Sequence, residues 1–252
     1  MVFKILILDR TSKDVRRYMS MPVFSDCGFE IVGHTLNLTE AVSPAAKNKY
    51  DMLMIINRES SMIAADTLRA LMRKKIDVPT VVISHAESSK DMRDCFLLGA
   101  LDYLSEPVSE RDLSEVLVRA SKTISEKIMD REYARAVDSA LSKLTFGESS
   151  EAMQEKLVEF LQRVRGRAAT VEEAADFFGF NPDYFRRVFK KRFGVSFSDF
   201  YKDLMMDYAR LLLSSGHYKV GEVSDLLGFS SSDYFTRVFK KITGHLPSEF
   251  RK

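Results

Sequence analysis

At 252 residues, with 45% hydrophobic and 29% charged side chains, the chain is long enough for two ordinary domains, each with its own core. These fractions exclude disordered, fibrous and membrane-embedded classes. The early apolar run Val2 to Leu8 is interrupted by Lys4 and too short for a signal-peptide core or a membrane span, so a cytoplasmic protein is expected.

The net charge of +2 is unevenly distributed. Residues 1–109 balance 14 basic against 14 acidic side chains, while residues 150–252 carry 17 against 14, with Arg186, Arg187, Lys190, Lys191 and Arg192 clustered. Cys27 and Cys95 suit a reducing compartment, offer no metal cluster and read as small buried hydrophobes.

In chain order, Phe3–Leu8 is an apolar run of strand length that ends at Asp9. Glu30–Thr35, Met52–Ile56 and Thr80–Ser84 are further buried-strand runs, and Tyr103-Leu104 is a last short one. Helical stretches at Ala64–Lys75 and Lys90–Leu98 lie between them, the second ended by Gly99. Strands separated by helices imply right-handed crossovers, hence an α/β doubly wound, parallel five-stranded sheet. Ligands of such sheets gather beyond the C-terminal strand ends. Here those ends carry Asp9-Arg10, Ile56-Asn57, Ser84 and Glu106-Pro107. The four histidines are scattered; His85, beside Ser84, is the one near this edge.

From Glu110, the residues Leu113, Val116, Leu117, Ala120, Ile124 and Ile128 recur at helical spacing, and the pattern runs on towards Leu144. Gly147-Glu148-Ser149-Ser150 is the first clear break. Beyond Ile128 the helix would leave its sheet, so residues 121–150 are expected to be a helical linker that could pair in a dimer.

The last hundred residues contain an internal repeat. Asp183-Tyr184-Phe185-Arg186-Arg187-Val188-Phe189-Lys190-Lys191 recurs as Asp233-Tyr234-Phe235-Thr236-Arg237-Val238-Phe239-Lys240-Lys241. Gly179-Phe180 or Gly228-Phe229 precedes each copy, and Gly194 or Gly244 closes it. Each parses as a helix-turn-helix, an all-α unit. Thr170 with Glu173 predicts a capping box, Gly179 a tight turn, and Asn181-Pro182 a capped helix start; Ser230 or Ser231 is the second cap. Phe185, Val188, Phe189 and Phe235, Val238, Phe239 should face the core. That leaves Asp183, Arg186, Arg187 and Lys190 in the first copy, and Ser232, Asp233, Thr236 and Arg237 in the second, within reach of a DNA groove.

Residues from about 152 to 252 resemble the AraC-type DNA-binding domain on these motifs, together with Pro247-Ser248-Glu249-Phe250-Arg251 and the joining helix Asp199 to Ser214. The resemblance implies double-stranded promoter DNA as partner, read at tandem major-groove sites, and transcription activation. Met205 departs from it, standing where the joining helix normally carries an arginine.

Residues 3–120 resemble the receiver domain of response regulators through Lys4-Ile5-Leu6-Ile7-Leu8-Asp9, Ser84 and Gly99-Ala100-Leu101-Asp102-Tyr103-Leu104 with Pro107. That family holds Mg²⁺ with paired acids, accepts phosphate on an aspartate and binds it with a lysine. Here Arg10 follows Asp9, Ile56 with Asn57 stands at the acceptor position, and Glu106 replaces the lysine; Ser84 and Tyr103 match the switch residues. Neither Ile nor Asn can form an acyl phosphate, and Arg10 puts a cation where the metal would lie. Arg10 is therefore expected to pair with Asp9 or Glu106.

The sequence thus predicts three parts, a receiver-like domain over 1–120, a helical linker over 121–150 and the DNA-binding domain over 151–252. The expected protein is not an enzyme and needs no cofactor or metal. It is a sequence-specific, dimeric DNA-binding transcription regulator that works without phosphorylation, with RNA polymerase or a regulatory protein as a further partner. The alternatives are a two-component response regulator phosphorylated at an unusual residue and a small-ligand or protein sensor.

Overall fold

Five apolar segments pair in parallel: β1 (Phe3–Leu8), β2 (Phe29–Thr35), β3 (Met52–Asn57), β4 (Thr80–Ser84) and β5 (Asp102–Ser105). Their order in the sheet is β2-β1-β3-β4-β5. This is the flavodoxin-like doubly wound order, whose topological switch point lies between β1 and β3. Every residue of β3 and β4 is buried, which explains why Met52–Asn57 and Thr80–Ser84 show no polar alternation. The computed structural model describes residues 1–11, 15–43, 49–58, 63–85, 88–144 and 151–251.

The chain divides into two units, residues 1–126 and 127–252. In the first, α1 (Val15–Met19), α2 (Val23–Asp26), α3 (Leu38–Ala41), α4 (Ile63–Arg73) and α5 (Ser89–Leu97) connect the strands. Helices α1 to α3 have five residues or fewer, too few for an apolar period to show in sequence. Leu8, Leu53, Ile55, Leu68, Val82 and Cys95 belong to one buried cluster that joins the sheet to its helices.

Helix α6 (Glu110–Ser142) starts in the first unit, where Leu113, Val116, Leu117, Ala120 and Ile124 are buried, and ends in the second. In the second unit it is followed by α7 (Glu151–Val164), α8 (Val171–Phe178), α9 (Pro182–Phe193) and α10 (Phe197–Ser214). Then come α11 (Val220–Leu226), α12 (Ser232–Thr243) and a closing turn of 3-10 helix at Pro247–Phe250.

The apolar stripe of α6 past Ile128 is already covered within this unit. Tyr133 is buried, donates a 3.0 Å hydrogen bond to the Leu161 carbonyl and packs edge-on against Tyr208 at 5.3 Å. Lys143 pairs with Asp207 at 2.7 Å. The buried carboxylate Glu132 is held by Arg131 at 2.8 Å and Arg135 at 2.7 Å. Residues 127–142 therefore act as a helix of the second unit, and not as a bare linker. The Gly147–Ser150 break lies outside the described residues.

Candidate functional site

Each helix-turn-helix is assembled around phenylalanines at i, i+4 spacing. Phe185, Phe189 and Phe193 of α9 are buried against Phe178, Phe197 and Phe200, with ring centroids 4.5 to 5.8 Å apart. In the second copy, Phe235 and Phe239 of α12 pack with Phe229 and Phe250 at 5.2 to 5.7 Å. Val188 and Val238 are only half-buried at the edge of these stripes.

The turns use left-handed backbone at Gly179 and Gly228, with φ of +75° and +76°, a conformation that favours glycine. Asn181 accepts the Tyr184 amide at 2.9 Å ahead of Pro182, and Ser231 accepts the Tyr234 amide at 3.2 Å, so Ser231, not Ser230, caps α12. At α8 the expected capping box forms only by half. Thr170 accepts the Glu173 amide at 3.1 Å, but the Glu173 carboxylate turns away to the Arg167 guanidinium.

With the aromatic faces inward, Asp183, Arg186, Arg187 and Lys190 are exposed on α9. On α12, Ser232, Asp233 and Arg237 are exposed and Thr236 is half-buried. The arginines differ in their surroundings. Arg186 is clamped between two carboxylates, Asp183 on its own helix and Glu172 on α8, each at 2.9 Å. Glu172 is separated from Arg186 by a turn, and the sequence reading missed it. Arg237 instead lies over the Tyr234 ring at 5.9 Å, near the limit of cation–π attraction.

At the strand ends of the first unit, Asp9, Ile56, Asn57 and Ser84 are buried. Asp9 Oδ1 accepts the Thr11 amide and hydroxyl, both at 2.9 Å. Asn57 lies opposite Ser84 in the β3–β4 register. The Tyr103 hydroxyl is buried near Ser84 but outside strict hydrogen-bond geometry; burial raises its pKa and the Ser84 hydroxyl partly opposes the rise.

Glu106, joined to Pro107 by a cis peptide bond, is anchored by three residues. The Tyr18 hydroxyl donates to it, Arg17 Nη1 reaches both carboxylate oxygens at 3.2 Å, and the Val108 amide donates at 3.0 Å. Burial pushes the Glu106 carboxyl up, but these hydrogen bonds and the Arg17 charge outweigh it and hold the group below the usual carboxylate range. The expected pairing of Arg10 is not made. Arg10 is exposed, without an ion pair among the described residues, and Arg17 takes Glu106. Sequence reasoning missed Arg17 and Tyr18 because they sit on the short α1, almost ninety positions from their partner.

Residues 174–252 match the family model described as a helix-turn-helix domain. The chain is 31% identical over 111 residues to the uncharacterized HTH-type transcriptional regulator YijO of Escherichia coli K12, covering 44% of this chain and 39% of that protein. It is 33% identical over 81 residues to YpdC of the same organism, covering 32% of this chain and 28% of YpdC. The chain therefore spans well under half the length of these two relatives. Against the transcriptional regulatory protein HptR of Staphylococcus aureus it is 24% identical over 254 residues, covering 100% of this chain and 99% of HptR. Among solved structures, the receiver domain of the Francisella response regulator 1452 is similar over 48% of this chain and 98% of its own, at 22% identity and a TM-score of 0.40.

The second unit thus carries a helix-turn-helix domain over residues 174–252, and the first has the flavodoxin-like doubly wound sheet order. No helix among the described residues is long and apolar enough to cross a membrane.

Proposed function

We propose that this chain is a homodimeric transcription activator that reads tandem major-groove sites in promoter DNA, and that its receiver-type unit works without phosphoryl transfer. Asp183, Arg186, Arg187 and Lys190 face the first site and Ser232, Asp233, Thr236 and Arg237 the second, with RNA polymerase or a regulatory protein as further contact. Joining them, α10 has eighteen residues and is about 27 Å long, suited to grooves about 34 Å apart. The full-length similarity to HptR, a transcriptional regulatory protein, supports the reading of both units as one regulator. The dimer rests on a surface other than the apolar stripe of residues 127–142, which is covered within the unit.

The observation that carries phosphorylation independence is the fixed strand-end pocket. Ile56 and Asn57 occupy the acceptor position, and Glu106, at the position of the phosphate-binding lysine, is an anion tied to Tyr18 and Arg17. A dianionic phosphoryl group beside that carboxylate would be repelled. Incubation of the full chain with radiolabelled acetyl phosphate and Mg²⁺ tests this. No stoichiometric label is expected. Labelling of the first unit that disappears in Asn57→Ala or another local variant would return the protein to phosphorylation at an unusual residue.

A further inference from the structure

A groove of about 300 Å³ runs along α10 within the DNA-binding unit. Phe197, Tyr201, Met205 and Met206 form its floor, Leu227 and Phe229 of the second helix-turn-helix close one side, and residues 168–171 ahead of α8 close the other. From Phe197 to Met206 it follows about 14 Å of helix, which suits an elongated guest. Its volume is at the lower end of the range for small-molecule pockets, about 300–1,000 Å³.

The floor offers almost nothing polar. The Tyr201 hydroxyl is already committed to the Arg167 carbonyl, and Thr170 Oγ1 accepts the Glu173 amide. At the rim stands the exposed ammonium of Lys202, which has no ion-pair partner among the described residues, with the exposed Ser198 beside it. The nearby Asp199 is turned to the Ser196 hydroxyl at 2.6 Å. An apolar trough with one uncompensated cation at its edge is complementary to a guest with an apolar chain and a single negative charge.

We propose that this groove binds a small apolar monocarboxylate, its chain on the methionines and its carboxylate on Lys202, and that occupancy tunes DNA affinity. The coupling rests on the DNA-reading function above. Its physical route is Phe229, which lines the groove and packs on Tyr234 and Phe235 at 5.9 and 5.2 Å, in the first turn of α12. A guest that touches Phe229 differently in the free and DNA-bound forms must change DNA affinity, and DNA must change guest affinity by the same factor.

The test uses the full chain with ¹³C-methyl-labelled methionine, octanoate as probe and 1-octanol as its uncharged counterpart. Octanoate should shift the Met205 and Met206 methyl resonances saturably while those of Met72 and Met92 in the first unit stay still. Lys202→Gln, an exposed position, should weaken octanoate about tenfold and leave octanol unchanged. Shifts spread evenly over all methionines, or octanoate binding indifferent to Lys202→Gln, would overturn the site. Saturable binding with no change in DNA affinity would overturn the coupling. Failure of the unliganded chain to bind DNA would instead count against the function proposed above, because the methyl shifts are read without DNA.

Discussion

The two helix-turn-helix copies share a nine-residue frame, yet they differ as a set in the charged positions proposed to face DNA. Arg186 of the first copy corresponds to Thr236 of the second, and its clamp partner Glu172 corresponds to Gly221. Both halves of the ion pair are thus present in one copy and absent from the other. The first helix carries more cations, but Arg186 already faces Glu172 and Asp183, so counting basic residues overstates its pull on phosphates. The arginines that remain outside an ion pair among the described residues, Arg187 and Arg237, occupy the same position of the frame. The copies are closer in available charge than their compositions suggest, and they differ mainly in how tightly a neighbouring side chain is held.

The largest test of this comparison concerns the cores. Phe189 packs on Phe185, Phe193, Phe197 and Phe200, whereas Phe239 packs on Phe235 and Phe250. Each Phe→Ala substitution should cost about 3–5 kcal/mol, Phe189→Ala the more, in denaturant unfolding followed by far-ultraviolet circular dichroism. A larger loss for Phe239→Ala would place the stable half of the unit in the second copy.

Next in size are the equivalent arginines. Arg187→Ala and Arg237→Ala should each weaken binding by about 1–3 kcal/mol and relax specificity at different positions of the site. The measurement is fluorescence anisotropy on a duplex selected from random DNA by the full chain. A loss confined to Arg187→Ala would mean that the second copy does not read bases.

Caps come third. Asn181→Ala and Ser231→Ala should each cost about 1 kcal/mol of stability, because both side chains satisfy the same amide of their helix. Markedly unequal losses in thermal unfolding would show that Pro182 holds the start of α9 without its cap.

The frame of both units was legible in the sequence because short-range rules write it. The sequence pattern placed all five strands, the long α6 and the two aromatic stripes, and turn chemistry placed Gly179, Asn181 and Pro182. Strand β2 differs in alternating covered and exposed residues where a buried run was expected. What escaped were partnerships between distant residues. Nothing near Glu106 in sequence points to Arg17 and Tyr18, and the expectation that Arg10, standing in for a metal, would pair with Asp9 or Glu106 failed because Arg10 is exposed. The long α6 illustrates the same limit. Its apolar stripe was visible, but whether that stripe met a partner chain or Leu161 and Tyr208 could not be read from periodicity.

The smallest effect isolates the clamp itself. Glu172→Gln removes one exposed carboxylate from Arg186, and exposed ion pairs contribute little, so folding stability should move by no more than about 0.5 kcal/mol. On DNA the guanidinium becomes freer to reach a phosphate. Affinity should rise at low salt, the slope of log affinity against log salt should steepen by about one unit, and discrimination between selected and random duplexes should fall. The mirror substitution Gly221→Glu is sterically open, since a Cβ there would meet Ser232 Oγ at an ordinary 3.5 Å. With Thr236 in place of an arginine, the new carboxylate has no cation to hold and should lower affinity instead. If Glu172→Gln shifts affinity by an amount equal and opposite to Gly221→Glu and leaves discrimination unchanged, Glu172 acts only through its charge near DNA, and the clamp on Arg186 has no part in specificity.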